Sequence, residues 1–402
     1  MQKYFLFRFL PIVLTLNLIS CISIRDPIIE EPFFDYTNRR APNSFPVIVS
    51  PYKDVDWQNF GQYKAALHVH TSNSDGWTSF SRVIELHYQR GFDIVAITDH
   101  NMVTADWVSA ANGLTQERVD AINRGEGRDG RGMIHIPYTN EQSRSDDLNS
   151  FFVNYNNSPG STLRGTLQQI EEMGGISFLV HVGRYTGGSR FTHMRRATGN
   201  RGANASNDEA TIQRYVDLFM EFPSCVGMEI VTARDWETAN DRILWDNILT
   251  RTVPQGRFVW GFANDDSHRN RFIGQNYNIF LMRENTHENI RQAMISGSFY
   301  AVARVAGHEL GNFFAPRRAS PRIANIKVCE KTSSITIDAK NYSRIDWISN
   351  GRLIYSGKTF VPESHENRIG YYVRANIIGR GGIAFTQPFG IIWKKKLHDA
   401  AD

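Results

Sequence analysis

Apolar and polar positions change their period along this chain and divide it into two folded stretches. Between residues 63 and 303, short apolar runs alternate with longer segments of helical spacing. The run 92–98 is nearly all apolar, as expected for a parallel strand covered on both faces. Ahead of it, Phe80, Val83, Ile84, Leu86 and Tyr88 predict a helix over 79–90. Further buried-strand patterns occupy 133–138 and 176–180, and another strand ends at Ala263. This alternation predicts an α/β fold with a largely parallel sheet. From about Pro321 the pattern turns to short alternating strands at 323–328, 334–337, 345–348, 371–376 and 382–385, separated by turns such as Ser349-Asn350-Gly351. Such spacing suits a small C-terminal all-β, sandwich-like domain packed on or tethered to the first.

Polar residues return at the ends of the apolar strands. In AALHVH, His68 and His70 are two residues apart, so both imidazoles face one side of an extended strand. Asp75 follows a Ser/Asn turn in which Gly76 permits a tight bend, and Asp99-His100-Asn101 closes the next apolar run. Glu141 follows 133–138, His181 follows 176–180, GMEIV carries Glu229, and GFANDDSH supplies Asp266 and His268. In β/α barrels the C-terminal strand ends hold the chemistry. A surface histidine beside an aspartate helix cap explains one such cluster, but not two at consecutive strand ends. Mixed imidazole and carboxylate donors without thiolates suit Mn²⁺, Fe²⁺ or Zn²⁺, and Cys21, Cys225 and Cys329 lack metal-ligand spacing. His87 reads as a surface histidine on its helix. It is excluded, as are His193, His287, His308, His365 and His398, which have no strand-end context.

HVHTSNSDG followed by AITDHN resembles the first two motifs of the PHP (polymerase and histidinol phosphatase) family. TNEQS, FLVHVGRY, GFANDDSH and SGSFYA resemble later motifs in the same chain order, with Val182 where the family usually has proline. The resemblance spans residues 63–303. It implies a distorted (β/α)7 PHP-type barrel holding two or three divalent ions (Mn, Zn or Fe). The ligands would be His68, His70, Asp75, His100, Glu141, His181, Asp266 and His268, with Glu141 and Asp266 as bridging carboxylates. Asp99 would orient a liganding ring from behind, and Glu229 could fill either role. A further histidine common in the family after the strand-end glutamate is absent. Asp147 falls near its position, where a solvated loop charge is the competing reading. The implied reaction is hydrolysis of phosphate mono- or diesters by a metal-bound hydroxide in a multinuclear site. Two other readings stand beside it: a surface binding lipoprotein with an inactive barrel, and a metallohydrolase of a non-phosphate ester or amide.

Arg184 follows His181 by three residues, and its planar fork makes it a candidate clamp for a small phosphorylated substrate. The segment 183–207 is rich in Gly and Asn and carries Arg190, Arg195, Arg196 and Arg201. A basic lid and a solvated insertion are both open for a loop of this length. Its few aromatics argue against a platform for single-stranded nucleic acid. A net charge of +4 spread over 402 residues implies no stable nucleic-acid complex.

At the N-terminus, Lys3 and Arg8 precede an apolar stretch broken by Pro11, Thr15 and Asn17, too short and interrupted for a typical membrane span. Leu18-Ile19-Ser20-Cys21 resembles a bacterial lipobox, which implies a lipid anchor at Cys21 and export to a bacterial membrane. A plain secretory signal is the alternative. The expected layout is a signal at 1–20, a proline-rich tether at 21–52, the barrel at 53–318 and the β domain at 319–396. In an oxidising compartment, Cys225 and Cys329 form either two buried thiols or one interdomain disulfide.

Overall fold

The computed structural model describes residues 44–184, 205–233, 235, 240–311 and 313–395. The expected signal and lipid anchor, most of the tether and most of the basic loop lie outside the described residues, as does the side chain of Arg184. Among the described residues, no helix is long and apolar enough to cross a membrane.

The α/β part begins with β1 (Ser44–Val49), β2 (Gly61–Ala66), β3 (Ile94–Val95) and β4 (Ile134–His135). It continues through β5 (Asn140–Gln142), β6 (Leu148–Phe151), β7 (Ile176–Leu179), β8 (Cys225–Thr232), β9 (Trp260–Asn264), β10 (Asn276–Met282) and β11 (Phe299–Ala303). Between them lie helices α1 (Phe80–Gln89), α2 (Gln116–Asn123), α3 (Leu163–Glu172), α4 (Glu209–Glu221), α5 (Asp241–Thr252) and α6 (His287–Ser296). Side-chain caps start several of these helices. Thr115, Thr162, Asp208 and Thr286 each accept a hydrogen bond from a backbone N–H three residues on, satisfying donors that a helix start leaves open.

The parallel pairs β2–β3, β3–β4, β7–β8 and β8–β9 follow the α/β expectation. β5–β6 and β6–β7 are antiparallel, so the strands do not form a simple parallel (β/α)7 set. The expected strand at 133–138 stops at His135, and Tyr138 takes a left-handed φ of 52° that turns the chain. Glu141 therefore sits on a separate strand, β5, rather than at the end of the preceding one. Isolated bridges between His100 and Glu141 and between Val69 and Ser267 bring the two groups of strand ends together.

The C-terminal strands are β12 (Arg322–Cys329), β13 (Ser334–Lys340), β14 (Arg344–Ser349), β15 (Arg352–Ser356), β16 (Thr359–Phe360), β17 (Tyr372–Gly379), β18 (Gly382–Phe385) and β19 (Phe389–Lys395). β12, β13 and β16 form a small antiparallel sheet. The others continue the sheet of the α/β part, because β18 pairs with β11 from Ala301↔Phe385 to Ala303↔Ile383. One apolar core serves both parts: Ile323, Ile337, Trp347 and Phe389 pack with Leu281, Tyr300 and Val302. Trp347 is a core residue, and its indole N–H donates to the Gly357 carbonyl at 2.8 Å. Residues 44–49 depart from the tether expected up to residue 52. They form β1, paired antiparallel with β19 from Ser44↔Lys395 to Val49↔Gly390.

A charged contact fastens α5 to β17. Arg374 donates to both carboxylate oxygens of Asp246 at 2.8 and 2.7 Å, and the Tyr372 hydroxyl donates to the same carboxylate at 2.6 Å. All three residues are buried. Cys225 and Cys329 are free thiols rather than a disulfide, and burial pushes the Cys225 thiol up to about 12.

His87 corrects the surface reading. It belongs to the buried face of α1, lies edge-on to Phe92, and its Nδ1 meets the Val83 carbonyl at 2.8 Å. Burial drives its imidazole down to about 4 from an ordinary value of 6.5. Between those pH values the unfolded chain holds a proton that the folded chain refuses. Stability is therefore full above pH 6.5 and falls as pH drops toward 4, by about 3 kcal/mol from this group. Urea unfolding at pH 7, 5.5 and 4.5 with chelator present should show this decline, and His87→Leu should flatten it. Equal slopes in the two proteins would refute the assignment.

Candidate metal centre

The centre is assembled from strand ends. β2 runs into His68 and His70, both buried, while Val69 between them enters the core on the opposite side. Their Nε2 atoms face each other at 3.1 Å. Glu141, fully buried on β5, brings its Oε2 to 3.0 Å from His100 Nδ1, 3.2 Å from His70 Nε2 and 3.4 Å from His68 Nε2. Its Oε1 lies 3.2 Å from His181 Nε2. From beyond β9, Asp266 Oδ1 approaches His70 Nε2 at 3.1 Å and both His68 Nε2 and His268 Nδ1 at 3.4 Å. Asp75 Oδ2 completes the outer edge, 3.1 Å from His268 Nε2 and 3.5 Å from His100 Nε2. Gly76 is required here, because a Cβ would lie 2.8 Å from the backbone of His70 and Thr71.

The backbone is strained where it presents ligands. His181 has φ 29° and Asp266 φ 46°, in a region that non-glycine residues enter at a cost of order 1–3 kcal/mol. Flanking ladders hold both in place: β7 pairs with β8, and β8 with β9.

Electrostatics bind the groups into one system. Burial alone would lower the His70 imidazole, but hydrogen bonds to Asp266 and Glu141 outweigh it and raise it to about 10. Burial likewise opposes ionisation of Glu141, yet the surrounding imidazoles His68, His181 and His70 hold its carboxyl well below the usual range. Asp75 is also lowered: its partial burial is outweighed by His100 and His268. Positive charge is therefore in demand where several ring nitrogens converge, which is what a divalent cation supplies.

All eight sequence-predicted ligands meet here, in overlapping groups whose donor atoms lie within 4.8 Å of one another. One group is His70, Asp75, His100 and His268; two others are His68, His181 and Asp266, and His68, His70 and Glu141. The donor chemistry fits divalent ions. Glu141 Oε2 is buried, and imidazole nitrogens of His100, His70 and His68 converge on it at 3.0, 3.2 and 3.4 Å. His68 and His70 turn nitrogens toward the same carboxylates instead of toward separate partners.

Asp147 belongs to the cluster as well. It is buried, forms a fourth group with Glu141 and His181, and lies 3.8 Å from His181 Nε2. The solvated-loop reading of Asp147 is therefore wrong. It directly precedes β6, whose four residues Leu148–Phe151 are all buried although two of them are polar.

The two residues expected behind the ligands exchange roles. Asp99 does not orient a ring. It accepts from the Thr71 backbone N–H at 2.8 Å, the Thr71 hydroxyl at 2.6 Å and the Ser74 hydroxyl at 2.5 Å, clamping the turn after His70. Glu229 is the carboxylate behind a ligand. It lies within β8 and is fully buried; its Oε1 meets His68 Nδ1 at 2.9 Å, and its Oε2 accepts from the His181 backbone N–H at 3.0 Å. A carboxylate on Nδ1 fixes the tautomer that turns the Nε2 lone pair inward. Glu229→Gln should weaken metal binding about 10- to 100-fold, measured by competition with a chromogenic chelator; undiminished affinity would remove Glu229 from this role. Val182 is buried in a short 3-10 turn, Val182–Arg184, whose Gly183 N–H donates to Asp241 at 3.1 Å.

Fold and site together define a mixed α/β protein with large sheets and a His/Asp/Glu cluster suited to divalent metal ions. No family model matches the chain. The DNA polymerase/3'-5' exonuclease PolX of Bacillus subtilis is 36% identical over 83 residues, covering 19% of this chain and 14% of that protein. Among solved structures, the chain is similar to a two-domain protein from Bacteroides vulgatus containing a predicted PHP-like metal-dependent phosphoesterase. That likeness covers 83% of this chain and 96% of the other, at 12% identity and a TM-score of 0.43. A lesion-specific endonuclease from Pyrococcus furiosus covers 58% of this chain and 56% of its own, at 12% identity and a TM-score of 0.32.

Proposed function

We propose that this chain is a PHP-type metal-dependent phosphoesterase acting on a small phosphate mono- or diester through two or three divalent ions. One observation carries the reading: eight side chains from motifs scattered over residues 68–268 converge into overlapping donor groups. His70, Asp75, His100 and His268 would hold an outer ion, and His68, Glu141, His181 and Asp266 would hold ions deeper in. Ions bound there would supply Lewis acidity toward the phosphoryl oxygens and toward a water molecule. Glu229 would keep His68 in the ligating tautomer, and Asp99 would keep the turn carrying Asp75 in place. The outer edge is the accessible one, since the side chains of Asp75 and His268 are 53% and 30% exposed while those of His68 and Glu141 are fully buried. Substrate would enter from that side, with Arg184 as the phosphate clamp suggested by its place three residues after His181 in the sequence.

The test is elemental analysis of the purified protein together with hydrolysis of a chromogenic phosphodiester, repeated in a variant lacking His70. Bound transition ions and turnover, both lost together in the variant, support the reading. Bound ions without phosphoesterase activity would favour a non-phosphate hydrolase or a binding protein instead.

A further inference from the structure

We infer that Trp77 and Arg269 form a stacking ledge at the mouth of the metal centre, which selects phosphate esters carrying a flat aromatic ring on the leaving group. This inference rests on the phosphoesterase reading and adds to it a class of substrate.

Trp77 is the most conspicuous apolar side chain near the centre, with 71% of its surface exposed. A single exposed aromatic is ordinary on a protein surface. This one is held in place from several directions. Its backbone N–H donates to the His268 carbonyl at 2.9 Å, which ties it to a ligand residue. The next residue is tied twice: its carbonyl accepts from the Ser72 N–H at 2.8 Å, and the Thr78 hydroxyl donates to Asn270 at 2.6 Å. On the other side, Gly76 lets the chain pass flush against His70 and Thr71, and this one residue separates Asp75, a member of the cluster, from Trp77.

The Arg269 guanidinium lies 3.4 Å from the centre of the indole, an arrangement in which the cation is attracted by the ring face. Arg269 is itself the residue after His268. A positive charge and a rigid aromatic surface are thereby fixed side by side at the more exposed edge of the donor cluster. An anionic phosphoryl group drawn to the ions would leave its ester substituent over this edge. Indole faces stack on flat rings with little regard to their substituents, whereas a saturated ring of similar size offers no π-face.

The test uses the full Mn²⁺-loaded protein with benzyl phosphate and cyclohexylmethyl phosphate, which match in size and in leaving-group chemistry but differ in aromaticity. KM for the benzyl ester is expected to be lower by about tenfold, the scale of base–aromatic stacking. In Trp77→Ala the ratio of the two KM values should collapse toward one, while bound metal measured by mass spectrometry stays the same; Trp77→Phe should restore most of the discrimination. A wild-type protein that does not distinguish the esters, or a Trp77→Ala protein that still does, overturns the ledge. If neither monoester turns over, the phosphodiester assay decides the phosphoesterase reading separately, and calorimetry with benzylphosphonate and cyclohexylmethylphosphonate decides about the ledge. Tighter benzylphosphonate binding that disappears in Trp77→Ala supports it, and equal binding overturns it.

Discussion

Replacing His70 by alanine is expected to strip the protein of most of its bound metal and to lower phosphoesterase turnover by about a thousandfold or more. His70 belongs to two of the donor groups, and its ring approaches both Glu141 and Asp266, so its loss disturbs the inner and outer positions together. Metal ions in such sites supply several kcal/mol of transition-state stabilisation, and each 1.4 kcal/mol is a factor of ten in rate. In the metal-free protein the imidazole is protonated up to about pH 10, so metal must displace a proton to bind. Alanine removes the ligand but leaves two buried carboxylates facing each other's charge, so some loss of stability should accompany the loss of metal. Circular dichroism separates unfolding from metal loss. A folded His70→Ala protein that keeps its full metal content and its activity would sink the proposed centre.

The second large effect lies away from the chemistry. Asp246→Ala should destabilise the protein by about 3–5 kcal/mol, the scale for removing one partner of a buried ion pair. The substitution leaves the Arg374 guanidinium buried opposite a methyl group and leaves the Tyr372 hydroxyl only the longer contact, 3.4 Å, to the backbone carbonyl of residue 246. Because the pair joins α5 to β17, the transition in urea should also broaden if the two parts begin to unfold separately. Adding Arg374→Met should recover much of the loss, since an apolar pair of suitable volume removes the stranded charge. A loss below about 1 kcal/mol in Asp246→Ala would show that water reaches the guanidinium and that the contact is not a true buried pair.

What could be read from the sequence was local. His68 and His70 announce themselves because period two on a strand places both rings on one side, Asp75 lies in the Ser/Asn turn that follows them, and His100, His181, Asp266 and His268 stand out as polar breaks after apolar runs. The partner of His68 was not legible in the same way. Glu229 is separated from it by 161 positions and lies inside β8, where only the packing of strands decides which buried side chain sits behind which ring. Asp99 looked like that partner because it adjoins a ligand in sequence, but its bonds are spent on the turn it caps. His87 was legible and misread: it is four residues after Val83 and three after Ile84, within the same helical arc whose apolar members predicted α1. The continuity of β11 with β18 was beyond sequence pattern, because strand alternation marks which face is buried and not which neighbour a strand will pair with.

The pairing of β1 with β19 bears on how this protein can be shortened for study. A version beginning at residue 53, the boundary that the proline-rich stretch suggests, would discard the strand that covers β19. The hydrogen-bonding edge of Phe389–Lys395 would then lie open, with Ile392 already 48% exposed beside it, and an open apolar edge is a template for intermolecular pairing. Such a version would retain every candidate ligand of the proposed metal centre and still tend to aggregate. The natural starting point for a soluble fragment is at or before Ser44, and the last residues of β19 need to be kept with it.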